Sequence, residues 1–121
     1  MARTKLSPLG RTLTARAVTA AVMRLRLLDG NGELLAELPA IADGGVKDGR
    51  ATLRFADSLG QRMGDPKLGQ CVTTNGDVVF DVDVGPVVAK GKTGAALQLD
   101  PWRVFPHGTV SVPEMIYEQP E

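Results

Sequence analysis

The chain has 121 residues, 43% of them hydrophobic, and 14 Lys+Arg balance 14 Asp+Glu. That length supports one domain with a self-sufficient core, and zero net charge argues against a protein whose main work is neutralising a nucleic-acid backbone. A lone Cys71 excludes an internal disulfide framework, a single His107 narrows the possible metal sites, and no apolar run approaches the roughly 20 residues of a membrane helix.

Charge is unevenly placed along the chain. Arg3, Lys5, Arg11, Arg16, Arg24 and Arg26 all precede the first acid, Asp29, whereas Glu114, Glu118 and Glu121 follow the last base, Arg103. The front is a basic arm, and its interrupted apolar groups predict no cleavable leader. Ser7-Pro8 is a good helix start, and Leu6, Leu9, Leu13, Ala17 and Ala20 recur at helical spacing, which predicts a helix over 8–20.

From Val22 the period becomes two. Met23, Leu25 and Leu27 alternate with Arg24 and Arg26, Asp29-Gly30-Asn31-Gly32 supplies turn residues, and Leu34, Ala36 and Leu38 alternate with Glu33, Leu35 and Glu37. This predicts a hairpin over 22–38 with Leu35 facing outward. Pro39 to Arg50 reads as a loop, and a third strand fits 51–56. Asp57 to Gly69 reads as a long connection with a helical turn around Leu59 to Met63. Asn75-Gly76 then marks a second hairpin, in which Val78, Phe80, Val82 and Val84 take one face and Asp77, Asp81 and Asp83 the other. Val87 to Ala89 fits an edge extension, Lys90 to Gly94 a basic loop, Ala95 to Leu99 a strand, and Val110 and Val112 a last edge strand stopped by Pro113. The expected fold is mainly β: a jelly-roll-like β-sandwich of seven or eight strands (22–121) behind an N-terminal basic arm and helix (1–21).

No constellation reads as catalytic, metal-binding or cofactor-binding. Gly91-Lys92-Thr93 lacks the earlier glycine and following helix of a phosphate loop, the three aspartates lack calcium-loop spacing, and Cys71 and His107 lack a third orienting group. Trp102, Phe105 and Met115-Ile116-Tyr117 gather much of the sparse aromatic content near the C-terminus, as anchors for a partner or as closure of the core.

The order of elements resembles small tailed-phage virion proteins. The likeness runs through Leu34-Leu35-Ala36-Glu37-Leu38, Gly49-Arg50-Ala51-Thr52-Leu53-Arg54-Phe55 and Asn75-Gly76-Asp77-Val78-Val79-Phe80-Asp81-Val82-Asp83-Val84-Gly85. It continues through Gly94-Ala95-Ala96-Leu97-Gln98-Leu99 and Gly108-Thr109-Val110-Ser111-Val112. The first hairpin turn is tighter than in such relatives, and Arg62 to Lys67 matches nothing in them. The resemblance implies a capsid decoration, or cement, protein made in the host cytoplasm, seated on the outer surface of the virion head and without enzymatic activity. Its expected partners are the major capsid protein and a second copy of itself, as a homodimer or else a trimer, with no membrane or direct nucleic-acid role. The expected contacts are Arg3, Lys5, Leu6, Leu9, Arg11 and Leu13 on the arm, Ile41 and Val46 in the first loop, and Trp102 and Phe105. The alternatives are a tail-tube, baseplate or head-completion component, and a nucleic-acid-binding module using the basic arm.

Overall fold

Two turns set the frame. Asp29 Oδ1 accepts hydrogen bonds from the amides of Asn31 and Glu33 at 2.8 and 3.0 Å, folding the first hairpin back on itself. Gly76 sits at φ 86°, where only glycine is unstrained, and donates to the Thr73 carbonyl at 2.9 Å to close the second.

The computed structural model describes residues 16–41, 46–47 and 50–118. A short helix occupies 16–21, the described end of the expected helix; its remainder and the arm contacts from Arg3 to Leu13 lie outside the described residues. The strands are β1 Arg24–Leu28, β2 Leu34–Ile41, β3 Val46–Lys47, β4 Arg50–Phe55, β5 Ser58–Leu59, β6 Leu68–Val72, β7 Val78–Pro86, β8 Leu97–Leu99, β9 Thr109–Val110 and β10 Met115–Glu118. Both expected hairpins are present. One hydrogen-bonded path joins β10-β4-β2-β1-β6-β7-β8, with β3 on β4, and β5-β9 form a separate ribbon. The protein is mainly β, and this path curls until its β10 end faces β7, where Phe80 and Tyr117 bring their rings to 5.0 Å.

Register explains the core. Leu38 pairs with Leu25, Leu25 with Cys71 and Cys71 with Phe80, a continuous inward row across β2, β1, β6 and β7. The next row is Ala36, Leu27, Gly69 and Val82. A Cβ on Gly69 would meet Val82 at 2.9 Å and Leu25 at 3.2 Å, so its bare backbone is the space those side chains fill. On the opposite face Arg24 and Arg26 bracket Glu37 at 3.7 and 3.4 Å.

Three local expectations are corrected. No helical turn forms at Leu59 to Met63: β5 pairs with β9, Gly60 bridges Pro106, and Gly64 bridges Val104. The cause is close backbone approach, since a Cβ at Gly60 would stand 2.2 Å from the Phe105 carbonyl oxygen. Leu35, expected outward, is fully buried because this connection folds over β2, where Gln61 donates to the Leu35 carbonyl at 2.8 Å. Val112 is in no strand and 87–89 extend none; β9 stops at Val110, and Met115–Glu118 makes the strand that pairs with β4.

Leu25 has 0% exposure at the centre of the first row. Leu25→Ala is expected to lower unfolding free energy by about 2–5 kcal/mol in urea titration, whereas Val87→Ala, at a surface position, changes it by less than about 0.5 kcal/mol.

Candidate functional site

Cys71 and His107 do not meet. Cys71 is locked between Leu25 and Phe80 in the β6 ladders, while the His107 amide donates to the Gly60 carbonyl at 2.9 Å in the turn before β9. Burial, with the negative charge of Asp81 added, pushes the Cys71 thiol up to about 12. A thiol so protonated and enclosed is a poor nucleophile and packs as a small apolar side chain.

The acidic stripe on β7 has local work. Asp83 Oδ1 accepts the Ala96 amide at 3.2 Å and so ties the approach to β8 onto β7. Among the described residues no group of three His, Cys, Asp or Glu is placed to hold a metal ion.

Four of the expected contact residues, Ile41, Val46, Trp102 and Phe105, lie among the described residues. Trp102 packs against the core, donates its indole N–H to the Pro66 carbonyl at 2.7 Å and lies 5.6 Å beneath the Lys67 ammonium, which makes it an end-plug of the sheet. Beside it Arg103 holds Asp65 at 2.9 Å, and that hydrogen bond lowers the Asp65 carboxyl from its ordinary value. Phe105 is 51% exposed between the Val104 and Pro106 bridges to the 60–64 connection, and Ile41 is 48% exposed opposite Arg54 at the end of β2. Val46 is placed in β3 opposite Ala51. Ile41 and Phe105 are the exposed apolar side chains among these four whose burial is described.

A different place gathers apolar and acidic groups. Between β7 and β10 lies a groove of about 480 Å³ lined by Phe80, Asp81, Val82, Ala96 and the 114–117 segment. β6 covers one edge of β7, and β8 covers the other only from Val84 to Pro86. β10 is paired on one edge, to β4, and among the described residues no ladder joins it to β7. Among the described residues the sheet therefore stops one join short of closure. The floor is apolar: Phe80, Val82, Met115 and Tyr117 all pack on the core. The rim carries exposed Asp81, Glu114 and a 68% exposed Ile116, with Glu114 held by Arg54 at 2.9 Å. Sequence reasoning missed this seam because Met115-Ile116-Tyr117 reads as an aromatic cluster; with no polar residue among the three, its in-out-in alternation is visible only in the structure.

Compared with known proteins, no family model, no curated protein and no solved structure matches the chain.

The thiol makes a pH prediction. In the unfolded chain Cys71 ionises near 9.0, in the folded chain near 12, so its contribution to stability is intact below pH 9 and is lost as pH rises from 9 to 12. Over that window wild-type stability should fall more steeply than that of Cys71→Ala, by up to about 1.4 kcal/mol per pH unit. At pH 8 a disulfide-exchange reagent should label Cys71 in urea and not in the folded protein; rapid labelling of the native state contradicts the burial.

Proposed function

We propose that this chain is a tailed-phage capsid decoration protein, a non-enzymatic clasp on the outer surface of the head that ties major capsid subunits together. Two things support the reading: the order of elements that resembles small phage virion proteins, and a mainly β body in which, among the described residues, Cys71 and His107 lie apart. The single observation that carries adhesion is the groove of about 480 Å³ between β7 and β10, an apolar floor that no ladder spans among the described residues. A jelly-roll-like sandwich belongs to the same proposal; its support is the nearly closed sheet.

Such a protein works by mass action. Binding the assembled shell more tightly than loose subunits stabilises the shell by the difference in binding free energy, and many weak contacts sum through repetition. In this reading the arm and the 39–50 segment, with Ile41 at the end of β2 and Val46 in β3, face the shell, and Phe105 gives a further apolar contact. The basic front supports nucleic-acid binding less well, because Arg24 and Arg26 already share Glu37.

Quantitative mass spectrometry of virions should find this protein at a copy number comparable to that of the major capsid protein, and heads lacking it should regain heat tolerance when the purified chain is added. A copy number matching the tail or portal instead assigns the chain to those parts of the particle, and absence from the virion overturns the reading.

A further inference from the structure

We propose that Asn75 is a self-modification site: in the folded protein it loses ammonia through a succinimide and becomes aspartate or isoaspartate, while Asn31, in the same dipeptide and the same turn, is held back. The inference goes beyond the decoration reading and does not rest on it.

The chain has two asparagines, and glycine follows both. Asn31-Gly32 and Asn75-Gly76 each complete a tight hairpin loop. The Asp29 amide donates to the Glu33 carbonyl at 3.0 Å across one, and the Thr73 amide to the Asp77 carbonyl at 2.9 Å across the other. Gly32 and Gly76 take φ 82° and 86°, and both asparagines are exposed. Asparagine is thermolabile, and a following glycine sets no side chain in the path between its own nitrogen and the carboxamide.

In the reaction the Gly76 nitrogen forms a bond to Asn75 Cγ and gives up its proton, the Cγ–Nδ2 bond breaks, and the amide group leaves with that proton as ammonia. Water then adds to either carbonyl of the ring, restoring one amide and leaving one carboxylate. Nothing is oxidised or reduced, and water is the sole co-reactant. In the closed turns the attacking nitrogen is engaged: the Gly32 amide donates to the Asp29 carbonyl at 3.1 Å and the Gly76 amide to the Thr73 carbonyl at 2.9 Å. Each reaction therefore waits for its turn to open, an event that needs no global unfolding.

The two turns differ in what holds them shut. Asp29 Oδ1 accepts the amides of Asn31 and Glu33 at 2.8 and 3.0 Å, which pins the first turn at the reacting residue itself. The 57–69 connection adds to this: Arg62 donates to Glu33, the Gln61 amide to the Leu35 carbonyl and the Lys67 amide to the Leu28 carbonyl, the last two at 2.8 Å. In the second turn the Thr73 hydroxyl accepts the Asp77 amide at 3.2 Å, and the Asn75 amide has no partner among the described residues. Beyond that turn β7 begins at a 49% exposed Val78, whereas the first hairpin runs into the fully buried Leu35.

The product alters the hairpin. Isoaspartate runs the backbone through the former side chain and adds a methylene to a turn whose length sets the β6–β7 register. That register pairs Cys71 with Phe80, so the site is a clock that loosens the second hairpin.

The full chain is held folded, and in parallel in concentrated urea, in mildly alkaline buffer. The two asparagines fall in different tryptic peptides, and mass spectrometry follows the replacement of NH2 by OH in each. In urea the two rates should be similar. In the folded protein Asn75 should react at least about fivefold faster than Asn31. Asp29→Ala should raise Asn31 to the Asn75 rate, and Asp29→Ser, which keeps an oxygen acceptor, should hold it down. Urea titration checks that both variants fold, and the wild-type comparison decides without them. Equal rates in the folded wild type, a faster Asn31, or an Asn75 that reacts only in urea overturns the proposal, as does a folded Asp29→Ala protein whose Asn31 stays slow.

Discussion

The fold depends on one row of side chains. Leu38, Leu25, Cys71 and Phe80 stand side by side across four neighbouring strands, and the row holds only if the two hairpins keep their registers. Slipping either hairpin by one residue would carry Leu25 to the face where Arg24 and Arg26 meet Glu37 and would bring those charges inward. Burying unpaired guanidinium groups costs far more than the surface ion pairs return, so apolar burial and charge placement enforce the same register. Gly69 belongs to this constraint, because the second row closes only where no side chain intrudes between Leu25 and Val82.

That row also explains which parts of the molecule were legible in the sequence. The hairpins could be read because Leu25, Leu27, Val82 and Val84 alternate with charged neighbours, and Asn75-Gly76 admits few other structures. The 57–69 connection could not. Leu59 to Met63 has helical composition, and its true conformation is set by Gly60 and Gly64 lying against the 104–108 backbone, a contact some forty residues away in sequence. Leu35 misled for the same reason: its position on β2 faces outward, and only the connection folding over it makes that face interior. β10 was hidden because four residues after Pro113 and Glu114 offer little periodicity, and its pairing with Leu53 to Arg50 is purely tertiary.

Of the site, the ingredients were visible and the assembly was not. The basic front, the Asp81 and Asp83 stripe and the Met115-Ile116-Tyr117 run each stand out in the sequence, but nothing in one dimension brings β10 beside β7. Trp102, which its size fits equally for an anchor or for closing the core, has its indole N–H on the Pro66 carbonyl and its ring against the core. Aromatic size says that a residue will be energetically important; whether it faces a neighbour or the interior is decided by the strand order around it.

A sheet that nearly closes poses a physical problem that full closure avoids. Unpaired edges invite association with whatever strand arrives first, and proteins commonly blunt them with charge or proline. Here Pro86 ends β7, Pro113 precedes β10, and Asp81 and Asp83 place charge along β7. The zero net charge of the whole conceals an uneven placement, with six of the 14 bases ahead of the first acid and acidic side chains along the seam.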